Sequence, residues 1–329
     1  MSSVEYVTDP DSIADGVQRW NDHVTDFAVD DRLLRQNVFA PFDAVDVRCF
    51  GVRVGGELRS FAVVKRCCDP VGTFDATETA WLSLFAFDPA SEDGRAACET
   101  LLQGVAEDVR SAGASKLVVG RSPQRFLAGV PDALPDAYVE ALEAVGFTFG
   151  EAVYDLHREI SGYEMPADCV ATGREWPALD VVRATGREEL LQDFLADQFP
   201  GPWPYEAANI CAIPGGPAEY FLLTFEGDPV GFLRSNRHDG AYRGANCNWG
   251  WRLSNEYCGV GPLGVHEDYR GRGWGLYLIT AVLERLAAEG YDHCVIDWTD
   301  LPAYYEQLGF DRWIRYRNAT LDLAAAVEK

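Results

Sequence analysis

The same order of predicted elements occurs twice along this chain of 329 residues, and this internal repeat constrains the fold more than any other feature. In the C-terminal half, the order is a strand at 257–265, a glycine-rich turn, an amphipathic helix that begins at Gly275, a strand at 293–298, a helical stretch from about 301 and a strand at about 313–323. In the N-terminal half, it is a strand at 80–87, a turn at 88–95, a helix that ends at Gly113, a strand at 116–120, a helix at 138–145 and a strand at 153–160. A repeat on this scale predicts two domains of similar fold.

Hairpin signals open each half, and a polar stretch joins the two halves. Gly55 and Gly56 separate two apolar runs in the first half, and a Gly-Asp-Pro turn does so in the second, which indicates antiparallel strands. Residues 161–178 contain two prolines and two glycines and predict a linker. We therefore expect an α/β (α+β) chain with one domain in residues 1–165 and a second in residues 166–329.

The charge balance limits the partners of the chain. The formal net charge is −24, from 52 acidic and 28 basic residues, and such a field repels a phosphate backbone, so we expect no nucleic-acid partner. The lysines are Lys65, Lys116 and Lys329 alone. A GC-rich genome would explain few lysines but not the acidity, so we expect an acidic, halophilic protein from a salt-accumulating microbe. At molar salt the Debye length is about 3 Å, which screens the self-repulsion of such a chain.

The sequence predicts neither a membrane segment nor a metal site. No apolar run reaches about 18 residues, and the N-terminus is polar and acidic, unlike a signal peptide. We therefore expect a soluble, cytoplasmic protein with no membrane partner. The nine cysteines and five histidines are scattered without a paired C-x-x-C spacing, so we expect reduced thiols and no metal.

A glycine-rich turn with two arginines lies between a predicted strand and a predicted helix, at residues 270–275 (Arg-Gly-Arg-Gly-Trp-Gly). Glycines allow a ligand to approach the backbone closely, and the N–H groups and dipole of a helix N-terminus attract anions. Arg270 and Arg272 would add charge-assisted hydrogen bonds to phosphate oxygens. The pattern predicts a pyrophosphate site, although an ordinary βα turn with solvated arginines has the same composition. Its position in the last quarter of the chain, after antiparallel hairpins, disfavours a dinucleotide-binding fold.

Two motifs resemble the GNAT superfamily of acetyl-CoA-dependent N-acetyltransferases. Residues 263–275 (Leu-Gly-Val-His-Glu-Asp-Tyr-Arg-Gly-Arg-Gly-Trp-Gly) are similar to its motif A, (Gln/Arg)-x-x-Gly-x-(Gly/Ala) after a strand, and residues 304–310 (Tyr-Tyr-Glu-Gln-Leu-Gly-Phe) to its Tyr-x-x-x-Gly-Phe signature. The resemblance covers roughly residues 180–323, and the repeat extends it to the first half. It implies a tandem of GNAT-like domains, each with a mixed, mostly antiparallel central sheet flanked by helices.

The resemblance implies a role for each motif residue. Backbone groups of Leu263 and Val265 would pair with the pantetheine arm of acetyl-CoA where the central strands splay, and the Val265 N–H would also donate to the oxyanion. Tyr305 would be the general acid that protonates the leaving thiolate, since an ordinary Tyr pKa near 10 retains the proton at neutral pH. A packed aromatic residue on an amphipathic helix would fit the same position. The implied cofactor-binding residues are Leu263, Gly264, Val265, Arg270, Gly271, Arg272, Gly273, Trp274 and Gly275.

Two positions depart from the family pattern. Trp298 stands about seven residues before Tyr305, where the family often has a cofactor-holding Asn. Gly259 stands at the strand position that supplies a carboxylate base in protein-lysine-acetylating members. Glu256 and Asp297 remain as possible bases, and a water relay is an equal alternative.

The first half lacks the features that the turn supplies in the second. Alignment of the two halves places Glu92 on the position of Arg270 and Leu142 on that of Tyr305, and the motif glycines are lost. A carboxylate repels a pyrophosphate. We therefore expect the first domain to be a degenerate copy that braces the catalytic domain or lines its acceptor site.

Residues 201–206 (Gly-Pro-Trp-Pro-Tyr-Glu) lie between the first two helical stretches of the second domain, a region that commonly lines the acceptor groove in GNAT folds. An aromatic wall with few carboxylates suits a small amine, although tryptophans that pack inside a two-domain chain would give the same pattern. The candidate acceptor residues are Trp203, Tyr205, Glu206 and Trp298.

The sequence therefore predicts an acetyl-CoA-dependent N-acetyltransferase that acts on the primary amine of a small molecule (an amine, amino sugar or amino acid) by direct attack on the thioester. The alternative from another class is a non-catalytic acyl-CoA-binding regulatory module. A third possibility is aminoacyl or longer-acyl transfer on the same scaffold. We expect acetyl-CoA as co-substrate, no metal, and a monomer or homodimer.

Overall fold

The structure, a computed structural model, describes residues 3–324 and divides into two compact units. The first unit takes in the chain up to Pro70, Asp75–Val153 and the chain from Ile314. The second takes in Val71–Phe74 and Tyr154–Trp313. Among the described residues, no helix combines the length and the apolarity needed to cross a bilayer.

The strands of the described chain are β1 (Val4–Tyr6), β2 (Val45–Val54), β3 (Glu57–Cys67), β4 (Thr79–Phe87), β5 (Lys116–Val119), β6 (Val130–Pro131), β7 (Thr148–Glu159), β8 (Leu179–Arg183), β9 (Tyr220–Phe225), β10 (Asp228–Arg237), β11 (Tyr257–Val265), β12 (His293–Thr299) and β13 (Asp311–Asp322). The α-helices are α1 (Pro10–His23), α2 (Asp31–Leu34), α3 (Glu92–Ser111), α4 (Asp136–Val145), α5 (Ala167–Glu175), α6 (Glu188–Gln198), α7 (Pro202–Cys211), α8 (Trp274–Ala288) and α9 (Pro302–Glu306). Local chemistry fixes several boundaries. The Asp9 carboxylate accepts the Ser12 N–H at the start of α1, and Gly146 ends α4 with a left-handed φ of 103°.

The main strands follow the same order in both units. The order is β1-β2-β3-β4-β5-β13 in the first unit, with the short β6 beside β13, and β8-β9-β10-β11-β12-β7 in the second. The pairs β4–β5 and β11–β12 are parallel, whereas their neighbours pair antiparallel. These mixed, mostly antiparallel sheets flanked by helices confirm the predicted fold class.

The last strand of each sheet comes from the other half of the sequence. β13 pairs with β5, with Thr320 opposite Val118, and residues 154–159 of β7 pair with β12. The predicted division near residue 165 places both of these strands in the opposite domain. Pairing uses main-chain groups that every residue carries, so an alternating pattern predicts a strand without predicting which sheet it joins.

The two parallel strands of the second unit separate toward their C-terminal ends. Their pairing ends at Gly259 and Val295, and beyond that point β11 keeps β10 as its neighbour. α8 covers one face of the sheet through a buried apolar cluster that includes Leu278, Val282 and Val260. This leaves a gap beside residues 260–265, here called the β11 gap, which opens toward the N-terminus of α8.

A lysine lies in the core of the first unit. Lys65 on β3 is 0% exposed, and its ammonium donates to Asn37 Oδ1 at 2.8 Å and to the Gln124 carbonyl oxygen at 2.7 Å. The bond to Gln124 ties β3 to residues 121–135, which have no counterpart in the second half of the sequence. Burial lowers the pKa of Lys65 to about 7.

A Lys65→Met substitution is expected to remove a pH dependence of stability between pH 7 and pH 10. The pKa of Lys65 is about 7 in the folded protein, against an ordinary 10.5. As the pH falls through this window the unfolded chain binds a proton that the folded protein does not, so stability decreases. At about 1.4 kcal/mol per pKa unit, the wild type should gain roughly 3 kcal/mol relative to the variant from pH 7 to pH 10. Urea unfolding with a reductant measures this, and parallel curves would contradict it.

Candidate active site

The last residues of β11 present their backbone to the β11 gap. The His266 N–H donates to the Val230 carbonyl oxygen at 2.9 Å, which sets the bonding pattern between β10 and the end of β11. In an antiparallel ladder, alternate residues bond to the neighbouring strand, so Leu263 and Val265 point their N–H and C=O groups the other way, into the gap. The Val265 carbonyl oxygen accepts a hydrogen bond from Arg270 Nε at 2.9 Å. The strand can therefore bind an extended ligand through main-chain groups.

The glycine turn (residues 270–275) leads directly into α8 and leaves its first N–H groups uncapped. Gly271 and Gly273 have φ values of 78° and 76°, a left-handed conformation that other residues disfavour. Gly273 is the N-cap residue and supplies no side-chain hydrogen bond, and the first turn of α8 contains no acidic residue. The partial positive charge of this helix end is thus available to an anion.

Aromatic rings hold Arg272 beside this helix end. Its guanidinium lies 5.7 Å from the Trp176 ring, 5.2 Å from the Tyr269 ring and 5.3 Å from the Trp274 ring. Neither Arg272 nor Arg270 forms a salt bridge with any described residue, so both charges remain available to phosphate oxygens. Trp274 is 1% exposed, so its side chain belongs to the core and its backbone N–H is the part that can face a ligand.

The corresponding helix of the first unit is capped by its own side chains. Ser91 Oγ accepts an N–H of the first turn of α3, and Glu92 and Asp93 add two carboxylates to that turn. The carbonyl oxygen of Phe87, the last residue of β4, accepts the buried Tyr138 hydroxyl at 3.4 Å. An anion would meet negative charge here, which supports the prediction of a degenerate copy.

Tyr305 packs against Tyr304, whose hydroxyl lies at the start of α8. A Cβ at Gly275 would lie 2.8 Å from the Tyr304 hydroxyl, and the Tyr304 and Tyr305 rings meet edge to face with centroids 5.0 Å apart. Burial raises the pKa of Tyr305 to about 12, with further contributions from Tyr304 and from the carboxylates of Asp297 and Asp300. The hydroxyl therefore stays protonated at neutral pH. Asp297, a candidate base, lies close enough for its charge to act on Tyr305.

An aromatic cluster packs against β11 at Gly264. A Cβ at this position would lie 2.6 Å from the Phe199 ring and 2.8 Å from the Phe232 ring, so only glycine fits. Trp203, at the start of α7, has its ring centroid 5.4 Å from both of these rings. The structure thus brings this candidate acceptor residue next to the strand that borders the β11 gap.

Three other candidates already have partners or lie elsewhere. Tyr205 is 3% exposed and stacks on Phe74 with ring centroids 4.7 Å apart, so it contributes to packing. Glu206 Oε2 lies 3.2 Å from Arg234 Nη1, which compensates its charge. Glu256 is exposed and precedes β11, at the end of the strand farthest from the glycine turn. Trp203 and Tyr205 are two positions apart on α7 and point about 200° apart, so proximity in the sequence did not place these two rings on one face.

Sequence reasoning missed a buried carboxamide at the position of the family's base. A Cβ at Gly259 would lie 2.3 Å from Asn246 Cγ, so this side chain fills the space that a residue at 259 would use. Asn246 is 1% exposed, and Asn236, opposite Gly259 on β10, is 0% exposed. The amide atoms of both have no partner among the described residues, and buried amides of this kind usually bind water or a polar ligand. The concentration of Asn in residues 236–248 was the available signal.

Residues 71–74 were also missed as part of the second unit. Thr73 Oγ1 accepts the Gly201 N–H at 2.8 Å, just before α7. Gly201 has φ 131° and ψ −136°, a conformation restricted to glycine. A turn from the first half of the sequence therefore positions the segment predicted to line the acceptor groove.

The described residues form no metal-ligand cluster, and most of the thiols are buried. Residues 3–324 contain no group of three or more His, Cys, Asp or Glu side chains that could hold a metal ion. The nine cysteines are free, and most are buried. Burial raises the pKa of Cys49 to about 12 and that of Cys211 to about 11, which suppresses the reactive thiolate.

Known proteins resemble this chain in two ways, through a family match inside the second unit and through structures that match nearly the whole chain. Residues 188–310 match the family model of the acetyltransferase (GNAT) family. One similar structure is described as a GCN5-related glucosamine N-acetyltransferase region in a fungal multi-domain GH3 β-N-acetylglucosaminidase (TM-score 0.84, 18% identity, 98% of this chain and 38% of that chain). Others are a tandem GNAT protein from the clavulanic acid biosynthesis pathway (0.64, 14%, 98% and 99%) and a GCN5-related N-acetyltransferase from Sphaerobacter thermophilus (0.62, 13%, 98% and 96%). No curated protein sequence matches significantly.

These similarities confirm the predicted resemblance to the GNAT superfamily and the tandem arrangement. Residues 188–310 match the GNAT family model, and domains of that family support acyl transfer from acyl-CoA. The structural identities are 18% or lower, so they establish the fold, and the chain spans 38% of the fungal enzyme's chain. The donor and the acceptor are therefore argued from the site itself.

Proposed function

We propose that this chain is an acetyl-CoA-dependent N-acetyltransferase that moves an acetyl group to the primary amine of a small molecule. The uncapped N-terminus of α8 carries this proposal. It combines free N–H groups, a helix dipole and two unpaired arginines in a chain of net charge −24. A pyrophosphate fits these groups, and the β11 gap beside them suits the extended arm that follows the pyrophosphate in CoA. The second unit is the catalytic one in this proposal, and the first is a degenerate copy.

The chain supplies binding and hydrogen bonds, and acetyl-CoA supplies the acetyl thioester. The N–H groups of the glycine turn, with Arg270 and Arg272, hold the pyrophosphate. Main-chain groups of Leu263 and Val265 bind the pantetheine arm as a sheet edge binds an added strand. The Val265 N–H donates to the thioester oxygen and stabilises the negative charge that develops there.

Proton transfers complete the reaction. The neutral amine attacks the thioester carbon, the new N–C bond forms, and the C–S bond breaks. Tyr305 gives its proton to the departing sulfur. The raised pKa of Tyr305 keeps this proton on the hydroxyl at neutral pH until the transfer. A water held by the Asn246 carboxamide takes the amine proton and passes it toward Asp297. The Asp297 carboxylate contributes to the raised pKa of Cys247, the neighbour of Asn246, which supports this path.

A small amine, amino sugar or amino acid is the proposed acceptor class. Phe199 and Trp203 offer an aromatic wall that packs on the buried Phe232, and the carboxylate of Glu206 is compensated by Arg234. A wall of this kind suits a compact amine more than a strongly cationic peptide. Since one structural neighbour is described as a glucosamine N-acetyltransferase region, glucosamine is the first acceptor to test.

A transfer assay at molar KCl tests the proposal. The protein is incubated with acetyl-CoA and, separately, glucosamine, a free amino acid and an aliphatic diamine, and released thiol and acetylated amine are both measured. Turnover with at least one amine is expected. Acetyl-CoA binding without turnover on any amine would favour the non-catalytic module instead. A folded protein that does not bind acetyl-CoA would overturn the acetyltransferase proposal altogether.

A further inference from the structure

Trp298 adopts a backbone conformation that a bulky side chain rarely tolerates. Its φ is 47°, in the left-handed region, where a non-glycine residue is held only by its surroundings. The register of β12 against β7 shifts at the same place, because Ile296 lies opposite Leu156 whereas Thr299 lies opposite Tyr154. Three steps on β12 therefore match two on β7. Residues 297–298 form a β-bulge, a feature that redirects side chains and often occurs beside active sites.

A buried carboxylate holds the bulge. Asp155 on β7 is 3% exposed, and its Oδ1 accepts the Trp298 N–H at 2.9 Å. A charged acceptor makes a stronger bond than a neutral one, and a buried carboxylate without its donor is unfavourable. This bond therefore favours the left-handed conformation of Trp298 over that of a regular strand, which would point the Trp298 N–H away from Asp155.

The bulge includes Asp297 and precedes Tyr305 in the chain, and these are the two residues to which the proposed function gives proton transfers. Asp297 immediately precedes Trp298, and its carboxylate contributes to the raised pKa of Tyr305. On the other side, Thr299 Oγ1 accepts the Leu301 N–H at 3.0 Å, at the N-cap of α9, the helix that carries Tyr305. A regular strand through Trp298 would turn Asp297 by one side-chain position and shift the start of α9.

We propose that Asp155 is a positioning residue for the transfer reaction: its hydrogen bond to the Trp298 N–H holds the bulge at residues 297–298 and thereby sets Asp297 and Tyr305 in their relative positions. This inference rests on the proposed function for its catalytic consequence, but the geometry it describes can be measured without turnover.

A pair of substitutions at Trp298 isolates the backbone from the side chain. Trp298→Gly and Trp298→Ala both remove the indole, but only glycine adopts a φ of 47° without strain. With Asp155 in place, its hydrogen bond should hold the bulge in both variants, and their kcat values should be similar. When Asp155→Ala is added to each, the Trp298→Ala double variant is expected to have a kcat about tenfold or more below that of the Trp298→Gly double variant, because small displacements of reacting groups lower rates strongly. Both should show the same KM for acetyl-CoA, since the glycine turn is untouched.

Substitutions at Asp155 test the hydrogen bond. Asp155→Ala removes the acceptor and should lower kcat, whereas Asp155→Asn keeps an oxygen at the same place and should restore most of it. Combining Asp155→Ala with Trp298→Gly should recover kcat to near that of Trp298→Gly alone, because glycine no longer needs the bond to remain left-handed.

Glu226 provides a matched control for strain. It is exposed in the turn between β9 and β10, with φ 54°. Glu226→Ala and Glu226→Gly should differ in thermal midpoint in the same direction as the Trp298 pair but should have equal kcat. A purely structural role for the bulge would give the Trp298 pair equal kcat as well, even with Asp155→Ala added to both.

The spectroscopic arm reports on Tyr305 directly. With 3-fluorotyrosine incorporated, the ¹⁹F resonance of Tyr305 is assigned by its loss in Tyr305→Phe. It should have the same shift in Trp298→Gly, in Trp298→Ala and in the Trp298→Gly/Asp155→Ala double variant. It should have a different shift in Asp155→Ala and in the Trp298→Ala/Asp155→Ala double variant. If the two double variants gave the same resonance, the positioning role would be wrong even for a protein that transfers acetyl groups. The expected resonances in a protein without turnover would support the geometry while the proposed function failed.

Discussion

Gly273→Glu is expected to weaken acetyl-CoA binding at least a hundredfold, which corresponds to about 2.7 kcal/mol. The new carboxylate would stand at the N-cap of α8, among the N–H groups proposed to hold the pyrophosphate. At about 4 Å and an effective dielectric constant of 20, each pair of like unit charges repels by about 4 kcal/mol at low salt, and the Debye length of about 3 Å at molar salt lowers this to about 1 kcal/mol for each pair. A carboxylate at a helix N-terminus is favourable for the helix itself, so the variant should remain folded although its φ of 76° disfavours a side chain.

Two further glycine variants separate charge from strain. Gly273→Ala introduces the same backbone strain without the charge and should weaken binding only several-fold. Gly290→Glu places the same side chain just beyond the other end of α8, at a φ of 103° with no atom within 4 Å of the new Cβ. It should leave binding unchanged. Calorimetric titration of acetyl-CoA at molar KCl measures all three. Equal losses in the two Glu variants would remove the glycine turn from consideration as the cofactor site.

The features that the sequence predicts are those formed by residues that lie close together along the chain. The strand that ends at Val265, the glycine turn and the helix that follows all lie within residues 257–288. Apolar periodicity and glycine placement in this stretch are enough to predict them. The repeat of this unit in the first half predicted the second sheet in the same way. The sequence also predicts that the first half lacks an anion site, because carboxylates such as Glu92 occur where the second half has a glycine turn with two arginines.

The parts that were not predicted depend on contacts between distant segments. No pattern in residues 71–74 indicates that Thr73 will bond to Gly201, or that Phe74 will stack on Tyr205. The same holds for Asn246, which fills the space above Gly259 only because the chain between β10 and β11 folds back on the sheet. The exchange of β7 and β13 belongs to this class as well, since backbone pairing is indifferent to side chains.

Tyr305→Phe is expected to lower kcat by about 10²–10⁴-fold, the usual contribution of a general acid, with the affinity for acetyl-CoA changed by less than about twofold. The hydroxyl is the only group removed, and the ring continues to pack against Tyr304 and Phe310. Tyr304→Phe is the matched control. Its hydroxyl lies against Gly275, and the proposal assigns it no proton transfer, so the change in kcat should be less than about tenfold. Steady-state kinetics with the acceptor identified by the transfer assay, together with calorimetry, separate the two parameters.

The pH dependence of kcat distinguishes an acid from a packing residue at this position. Because burial, Tyr304 and two carboxylates raise the pKa of Tyr305 to about 12, the wild-type hydroxyl keeps its proton throughout the range in which the protein can be assayed. The rate should therefore rise with pH as the acceptor amine loses its proton, and it should show no falling limb below about pH 10. A falling limb between about pH 8 and pH 9, near the ordinary range of a thiol, would assign the proton to another group. Its persistence in Tyr305→Phe would show that this tyrosine packs against the site without donating to the sulfur.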